Sequence, residues 1–514
     1  MNNWTHPRLN RDVLLGIDIG TTAVRAFAFN NQGKIIGESK IEINVYHPKP
    51  NWAEQKPEEI YNATIKAVQF LMKNVKKHVK AIGFCGQMHG LCCLDKNGKP
   101  LTNLIPWADV RAGEQAKKLE KILGAKEIYK RTGCPPLFVY AAPKIFWIKE
   151  KLPNIFSKCK KFLSAQDYVI FKLFGDYYTN PSIASGSQLL NINSIKWDEK
   201  ILDAIGITED NLPILVEGDK IFENLPAHIA TQLGLEENIP VALGASDGAL
   251  SNVGLGAVKD GICAINLGSS GAVRIISKHP IWDNSKMRFF CYYVASKHWL
   301  CGGAINNCGI ILKWYKDNFA EKEKEKAIEL GVDVYKLLDE KAEKVPAGCN
   351  GLMFLPFMSG ERFPIRDPYV RGMLFGLSLS HGKGHIIRSI IEGVSFTMKW
   401  IIDALEEYTK IDLIKIGGGG ARSYLWRQII SDIFEKKVVK TNVEEASALG
   451  AAILAGIAIG EYKNMEKAIE KLVKDEEEHK PRLENVKKYR QIFEIFKEAY
   501  SNSREYCERL LKIE

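Results

Sequence analysis

The chain is 514 residues long, 46% hydrophobic and 26% charged, with a formal net charge of +10. Such a composition is globular rather than disordered or fibrous, and the length exceeds what one core accommodates, so two domains are expected. The lysines are scattered and form no arginine-rich, aromatic-interleaved patch, which argues against a nucleic-acid partner; Met1 to Asn10 is polar with no apolar signal segment, and eleven scattered cysteines without a Cys-x-x-Cys pair fit free thiols in a reducing, cytoplasmic setting.

In chain order, the first feature is a hairpin over 13–29. Val13-Leu14-Leu15-Gly16-Ile17 reads as a buried strand leading into Asp18-Ile19-Gly20-Thr21-Thr22, and an alternating stretch follows up to the turn Asn30 to Gly33. A phosphate loop that opens a helix needs Gly-Lys-Ser/Thr or Gly-x-Gly-x-x-Gly, and neither is present. The loop therefore lies inside a β-hairpin, where backbone N–H groups and two hydroxyls can donate to phosphate oxygens. Asp18 is the only acid on this turn. Its natural role is Mg²⁺, through water, because that ion dehydrates reluctantly.

A helix over 57–78 and strands over 80–85 and 90–95 come next. Gly86-Gln87-Met88-His89-Gly90 and Trp107-Ala108-Asp109-Val110-Arg111 follow short apolar segments, which puts polar side chains at strand ends. There they can hydrogen-bond several hydroxyls and reject substrates that lack them. For His89 alone, a structural histidine satisfied by its surroundings is an equal reading. Helices around 112–130 and 141–151 follow. The apolar segment Val241-Ala242-Leu243 then ends in Gly244-Ala245-Ser246-Asp247-Gly248-Ala249. A carboxylate flanked by Gly and Ala has room for a substrate and suits a general base toward a hydroxyl attacking phosphorus. The competing reading is that Asp247 merely caps a helix over Ala249 to Val253.

From about 255 the plan repeats. Ile262 to Leu267, Gly268-Ser269-Ser270-Gly271 and Ala272-Val273-Arg274 again give strand, tight turn and strand. Long helices are expected at 304–318, 384–408 and 423–434, with a strand at 411–416 running into Gly417 to Gly420. Four glycines let a flat ligand lie against the backbone. The small-apolar run Ala446 to Gly460 is too short for a bilayer and reads as a buried helix, so no membrane partner is expected. The last fifty residues read as charged outer helices. The whole is an α/β plan of two similar domains, 1–254 and 255–514, with the active site between them. The two turns could there hold one polyphosphate.

The ordered set Asp18-x-Gly-Thr-Thr, Gln87-Met88-His89, Trp107-Ala-Asp-x-Arg111, Gly244-Ala-Ser-Asp247, Gly268-Ser-Ser-Gly271 and Gly417 to Gly420 resembles the FGGY carbohydrate kinases across nearly the whole chain. Residues 372–392 resemble that family's C-terminal signature in full; the N-terminal one is kept in part around Lys144-Ile145-Phe146-Trp147-Ile148. The resemblance implies two actin-like (ribonuclease-H-type) ATPase domains with an interdomain cleft, the first binding sugar and the second nucleotide. It implies transfer of the γ-phosphoryl group of Mg-ATP to a hydroxyl of a sugar or sugar acid, with a homodimer left open as the assembly. By the same likeness Asp247 is the catalytic base and Asp18 serves magnesium. Gly20, Thr21, Thr22, Gly268, Ser269 and Ser270 flank phosphate, and Gly417, Gly418 and Gly419 lie beside adenosine. Gln87, Met88, His89, Trp107, Asp109 and Arg111 meet the sugar.

Two subfamilies leave marks. Gluconokinase-like are Trp107 to Arg111, Ala245 to Asn252, Ser270 to Arg274, Phe290-Cys291-Tyr292, Lys297-His298-Trp299 and Gly302 to Asn307; Arg274 is available for a carboxylate if it faces the cleft. Xylulokinase-like is Gly86-Gln87-Met88-His89-Gly90. Thr132-Gly133-Cys134-Pro135-Pro136-Leu137 lacks the His-Pro that gluconokinases tend to carry. More marks point to D-gluconate than to xylulose or another ketopentose. The rival of another class is an actin-like ATPase without sugar transfer, which would keep Asp18 and both turns but has no need of the Met88-His89 and Trp107 to Arg111 cluster. Hinge closure on sugar binding is the expected shield against water.

Overall fold

Asp12–Ile19 (β1) is buried along most of its length, as a central strand with both faces covered must be, whereas Ile35–Glu42 (β3) alternates half-buried and exposed residues as a one-sided strand does. The computed structural model describes residues 12–75 and 78–513, so the polar opening Met1 to Asn10 lies outside the described residues. β1 pairs antiparallel with Ala23–Phe29 (β2), and β2 with β3, closing the hairpin read from the sequence. His78–Gly86 (β4) runs parallel to β1. A short edge strand, Glu223–Asn224 (β5), lies antiparallel to Pro240–Ser246 (β6), which in turn runs parallel to β4. The sheet order is β5-β6-β4-β1-β2-β3.

The second half repeats this order. Ile262–Leu267 (β7) and Gly271–Ser277 (β8) form the second hairpin, and Trp299–Ile305 (β9) flanks β8. Leu413–Gly417 (β10) runs parallel to β7, Lys437–Thr441 (β11) parallel to β10, and Asp475–His479 (β12) antiparallel to β11. Phe290–Tyr293 adds a seventh strand outside β9, and the other six, β9-β8-β7-β10-β11-β12, follow the first sheet's pattern. Both sheets are mixed and helix-flanked, and the described residues contain no closed barrel.

The chain divides into two compact units that interleave. The first takes the chain up to Val258 together with Ser277–Leu300 and Glu445–Val473; the second takes Lys259–Ile276, Cys301–Glu444 and Lys474–Glu514. The expected cut at 254/255 thus sits close to the first crossing but misses two excursions. Ser277–Leu300 is drawn in by hydrogen bonds: Cys291 N to Gly133 O at 2.8 Å, Tyr293 N to Ser185 Oγ at 2.9 Å, and Tyr129 OH to Phe289 O at 2.8 Å. Glu445–Val473 is drawn in by packing. Its helix Ala446–Ala458, the buried small-residue helix of the sequence reading, lies so close to the first sheet that a Cβ on Gly83 of β4 would come within 2.1 Å of Ala451 O. Only glycine admits that approach.

Several boundaries differ from the sequence reading for local reasons. The first helix is Pro57–Asn74, and β4 begins at His78; residues 76 and 77, where the helix was expected to end, are outside the described set. The expected helix at 112–130 is two, Gly113–Leu123 and Ala125–Thr132, broken at Gly124 with φ 84°. Residues 304 and 305 finish β9, so the helix expected from 304 is Gly309–Phe319. The helices at 384–408 and 423–434 are Lys383–Glu406 and Tyr424–Phe434, the latter capped by the Ser423 side chain accepting from Trp426 N. No described helix is long and apolar enough to cross a membrane.

Candidate active site

In the first unit three parallel strands end side by side. Asp18 of β1 is level with Cys85 of β4, and Cys85 is level with Ala245 of β6, two residues before Asp247. Burial pushes the Asp18 carboxyl up to about 6; the nearby Asp247 pushes the same way, while a hydrogen bond from Cys85 and the Arg25 guanidinium oppose it. Asp247 is exposed and opens the helix Asp247–Gly254 instead of capping it from outside. Gly248 N donates to its Oδ1 at 2.7 Å. Beneath it, Ser182 Oγ accepts from Ser246 N at 3.1 Å.

The first hairpin turn has unequal hydroxyls. Thr21 Oγ1 donates to Gln87 Oε1 at 3.1 Å and accepts from Trp107 Nε1 at 3.2 Å, whereas Thr22 is exposed. Gln87 Nε2 donates to Gly20 O and to Gln55 Oε1, and Gln55 Nε2 donates to Thr21 O. Gln87, expected at the sugar, is therefore a buried brace for the turn. Asp109, likewise expected to meet hydroxyls, is fully buried, and its oxygens accept from Ala53 N, Arg111 N, Arg111 Nε and Arg111 Nη2 at 2.7–2.9 Å. Arg111 also donates to Glu54 and lies 3.7 Å over the Trp52 ring. Asp109 and Arg111 are thus a closed pair that shapes their loop.

His89 has φ 68°, in the left-handed region that a non-glycine residue seldom adopts. Its Nδ1 is 2.6 Å from Gly186 O, so Nδ1 donates a proton to that carbonyl. Tyr140 and Tyr292 present their rings edge-on to the imidazole, and their hydroxyls are 3.0 Å apart. Met88 is buried, its methyl against Gly186. Cys85, Gln55, Tyr140 and Lys144 were not singled out by the sequence reading as parts of this site. Each is an ordinary residue in an apolar or mixed segment, and only the fold brings it there.

In the second unit the equivalent strand ends carry Gly268-Ser269-Ser270 and Gly417-Gly418-Gly419. Asn266 of β7 is level with Gly417 of β10. Gly418 has φ 86°, and a Cβ there would lie 2.7 Å from Asn266 Oδ1, so the glycine turn closes tightly on the hairpin; beside Gly419 there is open space. The helix Gly309–Phe319 starts on the hairpin turn, with Gly309 N donating to Gly268 O at 2.9 Å and Ile310 N to Ser269 O at 3.1 Å. Asp339, which the sequence reading passed over, hydrogen-bonds Ser423 just beyond the glycine turn, and burial pushes its carboxyl up to about 6. Glu361 is buried and accepts from Asn306 N at 2.6 Å, Arg362 N at 2.9 Å and Asn307 Nδ2 at 3.0 Å.

The donor set fits magnesium and does not fit a softer metal. The described residues contain no cluster of three or more His, Cys, Asp or Glu able to hold a metal ion, while Asp18 offers a half-buried carboxylate beside a second acid. A hard ion held by one or two carboxylates plus substrate phosphates has that requirement and no larger one.

Two mixed sheets sharing a six-strand pattern, each with a hydroxyl-bearing hairpin turn, define a two-domain α/β protein of the carbohydrate-kinase class. Family models agree: the N-terminal domain of the FGGY family of carbohydrate kinases matches residues 13–254, and its C-terminal domain matches 263–459. The chain belongs to the FGGY family of carbohydrate kinases and is a sugar kinase. It is 40% identical over 486 residues to a gluconokinase of Bacillus subtilis, covering 94% of each chain. A xylulose kinase of the same organism is 32% identical, over 96% of this chain and 97% of its own. Among solved structures, a gluconate kinase from Lactobacillus acidophilus superposes with a TM-score of 0.90 at 29% identity, over 96% of this chain and 98% of that one.

Proposed function

We propose that this kinase phosphorylates gluconate. The observation that carries the reading is the 40% identity to a gluconokinase, against 32% to a xylulose kinase over a similar span. The structure also gives packing surroundings for two of the contrary marks. Of the xylulokinase-like Gly86-Gln87-Met88-His89-Gly90, Gly86 answers to packing, since a Cβ there would lie 2.4 Å from Gln166 Oε1, whereas a Cβ on Gly90 would meet the Leu104 side chain at 3.2 Å. Cys134, where gluconokinases tend to carry His-Pro, is buried with its thiol donating to Ser185 O at 3.2 Å.

In this reading Asp247 takes the proton of the attacking sugar hydroxyl. It is exposed, held by Gly248 N, and sits where the positive end of a helix dipole favours a carboxylate. His89 meets a sugar hydroxyl through its imidazole, with Tyr140 and Tyr292 fixing its ring; Met88 and Trp107 line the same end. Gln87, Asp109 and Arg111 hold those groups in place rather than touching sugar. Gly20 and Thr22 of the first turn, and Gly268, Ser269 and Ser270 of the second, receive phosphate, while Thr21 links its turn to Trp107. Gly417 to Gly419 form the adenosine side, with Gly419 the open face. Asp18 would hold Mg²⁺ through water; when bound, that ion neutralises phosphate charge. On this basis residues 1–254, joined by the excursions 277–300 and 445–473, form the sugar-binding FGGY domain, and the rest of 255–514 the nucleotide-binding one.

A coupled ADP-release assay with gluconate, xylulose, ribulose and glycerol tests the proposal. Gluconate is expected to give the highest kcat/KM by at least tenfold, on the scale of one lost charged or hydroxyl contact. A preference for xylulose would overturn the substrate, and ADP release indifferent to every sugar would overturn sugar transfer itself.

A further inference from the structure

Lys144 is among the largest fully buried side chains of the protein, on the helix Ala141–Lys151 whose first eight residues are all buried. Its Nζ donates to three backbone carbonyls: His89 O at 2.7 Å, Pro106 O at 2.9 Å and Ile105 O at 3.2 Å. Three acceptors match the three hydrogens of an ammonium; a neutral amine would turn a lone pair on one of them. Burial draws this lysine down to about 7; Asp109 pulls it back up and the Arg111 guanidinium pushes it further down. Its carbonyl cage favours the charged form.

The three carbonyls belong to two different segments. One is the turn that carries Met88 and His89; the other leads directly into Trp107, Asp109 and Arg111. A pair of backbone hydrogen bonds between Leu91 and Ile105, at 3.1 and 2.8 Å, sets the segments side by side, but it lies behind the functional ends of both. Lys144 reaches the ends. It takes the carbonyl of His89 itself, whose left-handed backbone needs an external hold to persist.

We propose that Lys144 is a positioning residue: its ammonium locks the His89 turn and the Trp107 to Arg111 loop into one arrangement for sugar binding, without touching the sugar. This rests on the reading of those two loops as the sugar side of the site. A lysine that only stabilised the core would loosen its own helix when removed and would disturb sugar and nucleotide alike. A clamp loosens two distant loops together and disturbs sugar alone.

The experiment uses the full chain with Lys144→Met, which keeps the stem and removes the donors, and Lys144→Arg, which keeps a cationic donor set. Hydrogen–deuterium exchange without ligands should show faster exchange in 86–91 and 104–111 together in Lys144→Met, with 12–29 and 57–74 unchanged. In steady-state kinetics the KM for the sugar should rise at least tenfold while the KM for ATP stays within twofold. Lys144→Arg should recover part of both effects, and it keeps the test valid if Lys144→Met fails to fold. Exchange confined to 141–151, equal losses for sugar and ATP, or Lys144→Arg performing no better than Lys144→Met would overturn the clamp. The exchange readout needs no turnover, so it judges the clamp even if no sugar supports catalysis, an outcome that would sink only the reading of the loops as a sugar site.

Discussion

Cys85 lies level with Asp18 in the parallel register of the first sheet, and its thiol hydrogen-bonds the Asp18 carboxylate. The same cysteine is level with Ala245 on its other side, so the strand that carries it stands between the chain segments bearing Asp18 and Asp247. Two acids thus share one end of a sheet in different surroundings: one half-buried at the hairpin, the other exposed at a helix start. Different surroundings imply different tasks.

The exposed acid should be indispensable for transfer and dispensable for nucleotide binding. Asp247→Asn keeps the size and the contact with Gly248 N but removes the base. We expect kcat to fall by about 10²–10⁴-fold, the usual share of a general base, while calorimetry gives an ATP affinity within twofold of the parent. Retained turnover would remove Asp247 from that role.

Asp18→Asn should behave differently. The half-saturating Mg²⁺ concentration should rise severalfold. The metal-free protein should become more heat-resistant, because burial and Asp247 both disfavour the charge of Asp18. The gain is on the order of 1 kcal/mol, read as a higher melting temperature in EDTA. A lower melting temperature would show that the carboxylate is needed structurally.

The hydroxyl pair of Tyr140 and Tyr292, 3.0 Å apart and buried, orients the His89 ring from both sides. Tyr292→Phe removes one partner of the buried Tyr140 hydroxyl, which keeps its hydrogen bond with Cys134, at a cost of about 1 kcal/mol. We expect the sugar KM to rise severalfold with little change in the KM for ATP. A change confined to ATP would detach the pair from the sugar side.

Much of this was legible in the chain. Both hairpins, the Gly417 to Gly420 turn and the buried helix at 446 follow from short-range grammar: apolar runs, turn residues and small-residue spacing. What escaped the sequence was long-range. The return of 277–300 and 445–473 to the first unit depends on Gly133, Ser185 and Gly83 meeting segments far away in the chain. The bracing role of Gln87 and Asp109 was hidden for the same reason. A polar residue after a strand looks the same whether it faces ligand or accepts from Ala53 N. Lys144 sat inside a recognised signature, yet only the three carbonyls around it reveal a task.

Glu361 gives the second unit a pH signature. Burial pushes its carboxyl up to about 7, against hydrogen bonds from Asn307, Asn306 and Arg362 that favour the charged form. Because the folded value lies above the unfolded one of 4.5, the folded state holds the proton more tightly. That contribution to stability is complete below pH 4.5 and is lost as pH rises through 7. Glu361→Gln carries no charge at either end of this window. Its stability relative to the parent should therefore improve between pH 5 and pH 8, by at most about 3 kcal/mol. Other carboxylates titrate equally in both proteins and cancel in the difference. Urea midpoints for parent and variant at the two pH values measure it; parallel shifts in both proteins would mean that Glu361 stays charged across the range, held by its three donors.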